Sequence, residues 1–470
     1  MDQISKIIDL FLELEIQKNF FSLKIKNYNF WEYLRIDLCN KIIEEKSNFF
    51  QSKNSIDEKR KYYLYPLKIT LLIYNRIKIL LSKNIYDVIL LNQDRSVLYN
   101  GKNVNMHIYP IAKYLAKSFK VLLINQSNKS FKDKNINSIN EVPVSLLSSV
   151  LIYFIKFNKQ ELIFLNNIQK AIKSSFNLNL DVVEIAKKVF VYKIFYREKR
   201  FKKLFKKFNN KIFFYYSDHS SEGIVSAARS LDVKSVELQH SLISPLDIRY
   251  RIPSILDTYQ TVPDYVFTYG DYWNSFYKAP LKTIAIGFDY FNNSYTKYYK
   301  NSQKKLKKNG IIIYSGILSN KNLQAILDEL SKALPEKIFY FKLRQEEYGN
   351  WRHRYPEYLI KRKNIIFISS DNKPVHSYMN DCTWQIGIDS TLIYEGLAFG
   401  LTTFILKTGW FEQMKNIYEN NLAFLVTNSK QIIELIVNYS SHTRRIEKND
   451  IFKENVELNV INAVQEIIND

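Results

Sequence analysis

The chain has 470 residues, 46% of them hydrophobic and 15% aromatic, with a formal net charge of +22. That length allows two or three separate cores, the apolar content excludes wholesale disorder, and the charge favours anionic partners such as phospholipid surfaces, nucleic acid or phosphorylated substrates. Cys39 and Cys382 give neither a disulfide framework nor a zinc spacing and fit a reducing cytoplasm.

Residues 1–82 read as an N-terminal helical segment: Ile7, Ile8, Phe11 and Leu14 recur at helical spacing, as do apolar residues from Leu67 to Leu81. The first residues lack the basic stretch and cleavage site of a secretory signal. No apolar run reaches the roughly 18–20 residues of a membrane-spanning helix, and Val144 to Phe157 reads as a core helix. From Tyr86 the pattern changes to α/β alternation, with strands expected at Asp87–Leu91, Val121–Ile124, Ile212–Tyr216 and Ser235–Leu238 and a helix at Ile224–Leu231. A helical insertion at about 141–210 interrupts this series. After the loop Lys304 to Asn309 a second series places strands at Ile311–Tyr314, Lys337–Leu343, Ile365–Ile368, Trp384–Ile388, Thr402–Leu406 and Ala423–Val426, with helices Leu323–Ala333 and Leu392–Phe399. The expected fold class is α/β, with two Rossmann-like domains facing across a cleft. The first domain spans 83–280, the second 281–440 and a C-terminal helix 441–470. Ligands of such sheets bind beyond the carboxyl ends of the strands.

The chain has no Walker A loop, no G-x-G-x-x-G, no H-E-x-x-H and no D-x-D triplet for a metal-held sugar diphosphate. A metal-independent mechanism is expected, with no metal ligand and no cofactor beyond a nucleotide-activated substrate. The strongest motif is Ile388-Asp389-Ser390-Thr391-Leu392, a turn between a buried strand and a helix. Backbone N–H groups and the helix dipole there attract phosphate, and Glu395, one turn on, could reach a ribose; the alternatives are plain N-capping by these hydroxyls and a solvated Glu395. Ser315 and Gly316, at the end of the first strand of the second series, belong with the same ligand loops. Lys342 and Arg344 could neutralise a donor phosphate or be ordinary surface cations, and His376 is a loop residue near base or ribose. In the first series His240, in Glu237-Leu238-Gln239-His240-Ser241, could act as a base or hold a phosphate, or bond to a neighbouring loop. His219, beside Asp218, shares that ambiguity with helix capping, and Asp94 with Arg95 reads as a base and anion clamp or a surface ion pair.

Between Lys187 and Lys211 eleven cations face one acid, Glu198, with phenylalanines interleaved. Such a basic amphipathic helix suits an anionic membrane surface, with Lys199, Arg200, Lys202, Lys203, Lys206 and Lys207 facing it, or is a solvated face. No recognised nucleic-acid motif accompanies it, and no nucleic-acid partner is expected.

The series Glu237-Leu238-Gln239-His240-Ser241, Val262-Pro263-Asp264-Tyr265-Val266-Phe267-Thr268-Tyr269-Gly270, Ile284-Ala285-Ile286-Gly287 and Asp389-Ser390-Thr391 with Glu395 resembles bacterial GT-B glycosyltransferases of capsule and lipopolysaccharide synthesis, the sialic-acid and Kdo transferases among them. Wall-teichoic-acid glycerophosphotransferases share a similar layout. The resemblance spans about residues 210–430. It implies a nucleotide-sugar donor (CMP-linked sugars are among the candidates) held by Ser390, Thr391 and Glu395, a lipid-linked or polysaccharide acceptor, and His240 in the place of the family histidine. Gly270 and Gly287 map to the hinge side. The resemblance makes the first domain the acceptor domain and the second the nucleotide-sugar donor domain. Together with the cysteine usage and the basic helix, the expectation is a cytoplasmic enzyme attached to the inner face of the cytoplasmic membrane. Ser241 departs from the glycine of the family pattern, and Lys342-Leu343-Arg344-Gln345 departs from Lys-x-His-Pro, so that Arg344 must stand in for the histidine or the donor differs. The alternatives are a glycerol- or ribitol-phosphate transferase on the same fold and a basic nucleic-acid-binding protein.

Overall fold

The computed structural model describes residues 3–47, 85–92, 96–99, 102–126, 136–140, 151–216, 221–253, 259–300, 309–316, 320–370, 373–438 and 445–470. Two parallel sheets dominate it. The first contains β1 (Val88–Asn92), β2 (Val121–Asn125), β3 (Asn137–Asn140), β4 (Ile212–Tyr216), β5 (Lys234–Leu238), β6 (Tyr265–Thr268) and β7 (Lys282–Ala285), in the spatial order β3-β2-β1-β4-β5-β6-β7. The second contains β8 (Gly310–Tyr314), β9 (Ile338–Lys342), β10 (Ile365–Ile368), β11 (Cys382–Gly387), β12 (Thr402–Leu406) and β13 (Phe424–Val426), in the order β10-β9-β8-β11-β12-β13. Both follow the doubly wound 3-2-1-4-5-6 sequence, in which the chain reverses direction across the sheet beside the first strand. The reversal falls between β1 and β4 in one sheet and between β8 and β11 in the other.

Strands buried on both faces explain the continuous apolar runs. Val88 and Leu90 pack on one face of the first sheet and Ile89 and Leu91 on the other, the two-residue period of a strand. Helices α1 (Gln3–Gln17), α2 (Trp31–Ser47), α4 (Lys159–Phe176) and α5 (Val182–Val189) build a separate apolar cluster at the side; α3 (Ile108–Leu115) lies on the first sheet. Arg35 on α2 clamps the buried Glu15 of α1 with two hydrogen bonds (2.8 and 3.0 Å) and donates to the carbonyls of Ile248 and Arg251. The N-terminal helices thereby hold the loop that leaves β5.

Several expectations change. Between α1 and α2 the chain forms a small antiparallel ribbon, Lys24–Ile25 with Tyr28–Asn29, so the N-terminal segment is not helical throughout; the pattern at Leu67 to Leu81 and most of the Lys304 to Asn309 loop lie outside the described residues. The described part of Val144 to Phe157 is no core helix, since Tyr153 and Phe154 are exposed. The basic run forms a π-helix, Phe190–Glu198, followed by α6 (Lys199–Phe208). Phe201, Leu204, Phe205 and Phe208 are buried against Phe213 and Tyr215 of the sheet and Ile224 of α7 (Glu222–Arg229). The aromatic face of α6 therefore fills a core and is not open to lipid, because the sheet covers it, whereas Phe195 in the π-helix is exposed. Lys199, Lys203 and Lys206 point to solvent, and Arg200, Lys202 and Lys207 are half-buried. Lys193, in the same run, is buried and bridges Asp37 (2.6 Å) and Glu222 (2.7 Å). No helix among the described residues is long and apolar enough to cross a membrane.

Beyond residue 280 the first sheet continues through β7, and the chain then enters α8 (Asp289–Tyr295) on its way to β8. Helix α9 (Asn320–Ala333) joins β8 to β9. After β13 the chain returns: the segment 448–453 crosses the ends of β6 and β7, and α13 (Val456–Asn469) packs on the first sheet beside α3. Trp273 donates to the Ile451 carbonyl (2.9 Å) and the Lys453 N–H to the Tyr269 carbonyl (2.8 Å). A Cβ on Gly270 would meet the Asp450 oxygen at 2.2 Å, and Gly287, at φ +98°, would meet that of Lys453 at 2.2 Å. Gly270 and Gly287 are thus sites of close backbone approach.

Candidate functional site

The loops leaving β5, β6 and β7 carry Ile243, Tyr269, Trp273 and Phe288 into one apolar cluster with the second sheet. The carboxyl ends of the first sheet therefore meet the second half of the molecule, which is the GT-B-like arrangement.

On the second sheet, Ser315 follows β8 and Asp389-Ser390 follow β11, flanking the reversal point. Ser390 caps α11 (Thr391–Ala398): its Oγ accepts the Leu392 N–H (3.3 Å) and its carbonyl the Ile393 N–H (3.0 Å), so that the helix N-terminus and its dipole sit at this turn. Ser390 and Thr391 are both half-buried. Burial pushes the Asp389 carboxyl above its ordinary range, and the Arg344 guanidinium at the end of β9 draws it back; the β9 and β11 ends share one electrostatic field. The Ser315 Oγ donates to the buried Glu347 carboxylate (2.6 Å), which also accepts from Tyr355 (2.9 Å) and from the Arg344 N–H (2.8 Å). Lys342 turns back on its own loop, donating to the Leu343 carbonyl (3.2 Å) and the Tyr348 hydroxyl. Gly316 is buried beside Ser315.

Glu395 and His376 stand differently from expectation. His376 is no loop residue: it opens the short helix α10 (His376–Met379) and is fully buried. Its Nε2 lies 2.5 Å from the Glu395 carboxylate, and its ring packs among Phe399, Tyr290 and Phe291. Glu395 is correspondingly buried and paired, not a solvated helix residue, because α10 and α8 close over this side of α11.

Across the cleft His240 is half-buried, 5.2 Å from the Tyr216 ring and perpendicular to His107 at 6.5 Å. His107 precedes α3 and stacks on Phe288 at 5.1 Å, with its Nδ1 3.4 Å from the Tyr269 hydroxyl. Gln239 supports the loop, its Oε1 accepting the Tyr269 N–H (2.9 Å). Asp94 and His219 lie outside the described residues, as do Arg95 and Asp218.

Three groups were missed from sequence. His107 ends the stretch Asn103-Val104-Asn105-Met106, with no strand-end signal to mark it. The strand-final Asn92, Asn125 and Asn140 form a ladder, Asn92 donating to Asn125 (2.8 Å) and Asn125 to Asn140 (3.2 Å); an asparagine closing each of two apolar runs was a readable signal. Glu347, in Gln345-Glu346-Glu347, looks like any surface acid.

No protein-family model matches the chain, and no curated protein is similar to it in sequence. Among solved structures, the UDP-GlcNAc 2-epimerase of Methanocaldococcus jannaschii is similar over 81% of this chain and 99% of its own, at 11% identity and a TM-score of 0.48. The UDP-GlcNAc 2-epimerase of Neisseria meningitidis covers the same shares at 13% identity and 0.48. The wall teichoic acid polymerase TagF is similar over 88% of this chain and 98% of its own, at 9% identity and 0.44. With TM-scores below 0.5, these likenesses assign no role to any residue of this chain.

Proposed function

We propose that the protein is a metal-independent glycosyltransferase that moves a sugar from a nucleotide-activated donor to a growing surface polysaccharide or lipooligosaccharide. The observation that carries this reading is the pairing of Ser315 with the Ser390 turn on either side of the reversal point of the second sheet, where doubly wound folds take nucleotides. Ser390, Thr391 and the N-terminus of α11 meet the donor phosphate, and Arg344 offsets charge as the nucleotide leaves. Lys342 adds to that field. Glu395, enclosed with His376 beneath α10 and α8, anchors α11 behind the phosphate turn.

His240 takes the proton from the acceptor hydroxyl, with Tyr216 and His107 beside it. Closure of the two halves about the 270–309 connection keeps water from the donor. The outward lysines of α6 hold the enzyme near an anionic membrane by charge alone, so that attachment weakens as salt rises.

Thermal stabilisation by CMP, UDP, GDP and CDP conjugates identifies the donor, since a ligand selective for the folded state raises the melting temperature. Ser390→Ala with Thr391→Ala abolishes that stabilisation while the protein remains folded; retained donor affinity refutes the phosphate assignment. His240→Ala leaves donor affinity nearly intact and lowers transfer by at least ~10²-fold, whereas lost donor binding reassigns the residue to the phosphate. Phosphorus in the product would identify a polyol-phosphate transferase instead.

A further inference from the structure

Beside the proposed catalytic cleft, a groove of about 660 Å³ runs between the two halves. One wall comes from α1, from Pro245 and Leu246 on the His240 loop, and from the segment after β6; the other comes from the turn Phe411–Met414 and α12 (Lys415–Glu419), which follow β12. In a chain of net charge +22 this lining is balanced: Arg251, Lys278 and Lys415 against Asp9, Glu412 and Glu419. A polyanion would require a positive lining and an acyl chain an apolar one, and the groove is neither. Phe276 and Tyr418 contribute ring surface, and Asn416 an amide.

Glu412 is the decisive residue. It is 9% exposed, yet among the described residues its Oε2 is buried without a hydrogen-bond partner. A carboxylate oxygen in that state carries a desolvation cost that a donated hydroxyl removes. Carboxylates, amides and rings along a charge-balanced groove match a chain of sugar rings, whose hydroxyls donate to the carboxylates and whose apolar faces lie on aromatics.

We propose that this groove is the subsite for a neutral, hydroxyl-rich glycan, with Glu412 accepting hydrogen bonds from its hydroxyls; the further step, that this glycan is the acceptor, rests on the glycosyltransferase reading. Because the walls belong to different halves, a bound glycan bridges them and favours their closed arrangement.

Saturation-transfer NMR with cellotetraose, chitotetraose and mannotetraose tests it, beside a glycerol-phosphate oligomer as an anionic arm and CMP and UDP conjugates followed by thermal shift. At least one neutral tetrasaccharide binds, and its affinity falls at least tenfold in Glu412→Ala while nucleotide stabilisation is unchanged. Lys415→Trp, at an exposed position, blocks the groove with the same result and serves should Glu412→Ala fail to fold. Binding by none of the tetrasaccharides, binding indifferent to both substitutions, or binding of the anionic oligomer alone overturns the proposal. Nucleotide stabilisation without glycan binding would sink the groove assignment and leave the transferase reading standing. Glycan binding in the groove without any nucleotide effect would do the reverse.

Discussion

Glu237 shows how burial sets the chemistry of a single residue. It stands next to last in β5, where its carboxylate accepts from the hydroxyls of Tyr250 and Tyr215 (3.3 Å for the latter). Burial pushes its pKa from the ordinary 4.5 to about 7, against the opposing charge of Arg249; Asp247, bonded to that arginine, adds to the upward push. A folded-state pKa above the unfolded one means the folded protein holds the proton more tightly. The stabilisation is complete below about pH 4.5 and is lost as pH rises through about 7, by roughly 3 kcal/mol in all. Urea midpoints of the wild type therefore fall between pH 5 and pH 8 by more than those of Glu237→Gln, and parallel profiles would refute the assignment. Lys193 is the converse case. Burial alone lowers its pKa, but Glu222 and Asp37 more than offset this and hold it above the ordinary range. Lys193→Met leaves the buried Glu222 without its partner and costs about 3–5 kcal/mol by denaturant titration; Lys193→Met with Glu222→Gln recovers part of it. Sequence showed Lys193 as one cation among eleven, because nothing local marks the one whose partners come from residues 37 and 222.

At the scale of elements, α11 joins packing to the proposed donor site. Gly396 lies against Gln385 of β11, and a Cβ there would sit 1.9 Å from the Gln385 Oε1. That side chain is already committed, donating to the Ile393 carbonyl (2.8 Å) and the Thr403 hydroxyl (2.7 Å) and accepting from Tyr314 (2.9 Å). Gly396→Ala therefore displaces α11 or breaks the network, lowering stability by about 1–3 kcal/mol and weakening nucleotide binding at the same helix. An unchanged melting temperature would show that the helix moves freely. The element itself was legible: a buried apolar run, a serine-threonine turn and a helix of small residues predict β11, Ser390 and α11 within a residue or two. The pairing of Glu395 with His376 was not, since 19 residues separate them and only the packing of α10 and α8 encloses the pair.

At the scale of the molecule, the second half is tied to the first in both directions, through α8 going out and through 448–453 and α13 coming back. Val456, Val460, Val464 and Ile467 are buried on the first half. Burial of such side chains contributes roughly 1.5–3 kcal/mol each, a large share of an ordinary domain's net stability. A chain ending at residue 446 therefore loses the cooperative unfolding of its first half and exposes apolar surface, seen by calorimetry and dye binding; an unchanged transition would show that α13 is dispensable.

The sequence by itself determined the α/β class, most strands of both sheets and the loops that flank the second reversal point, because apolar runs, polar turns and helix starts are local patterns. Strand order, the return of α13, the inward aromatic face of α6 and the company kept by His240, Glu395 and Glu412 were decided only in the tertiary structure. Each depends on which distant surfaces meet, and burial, pairing and pKa follow from that meeting alone.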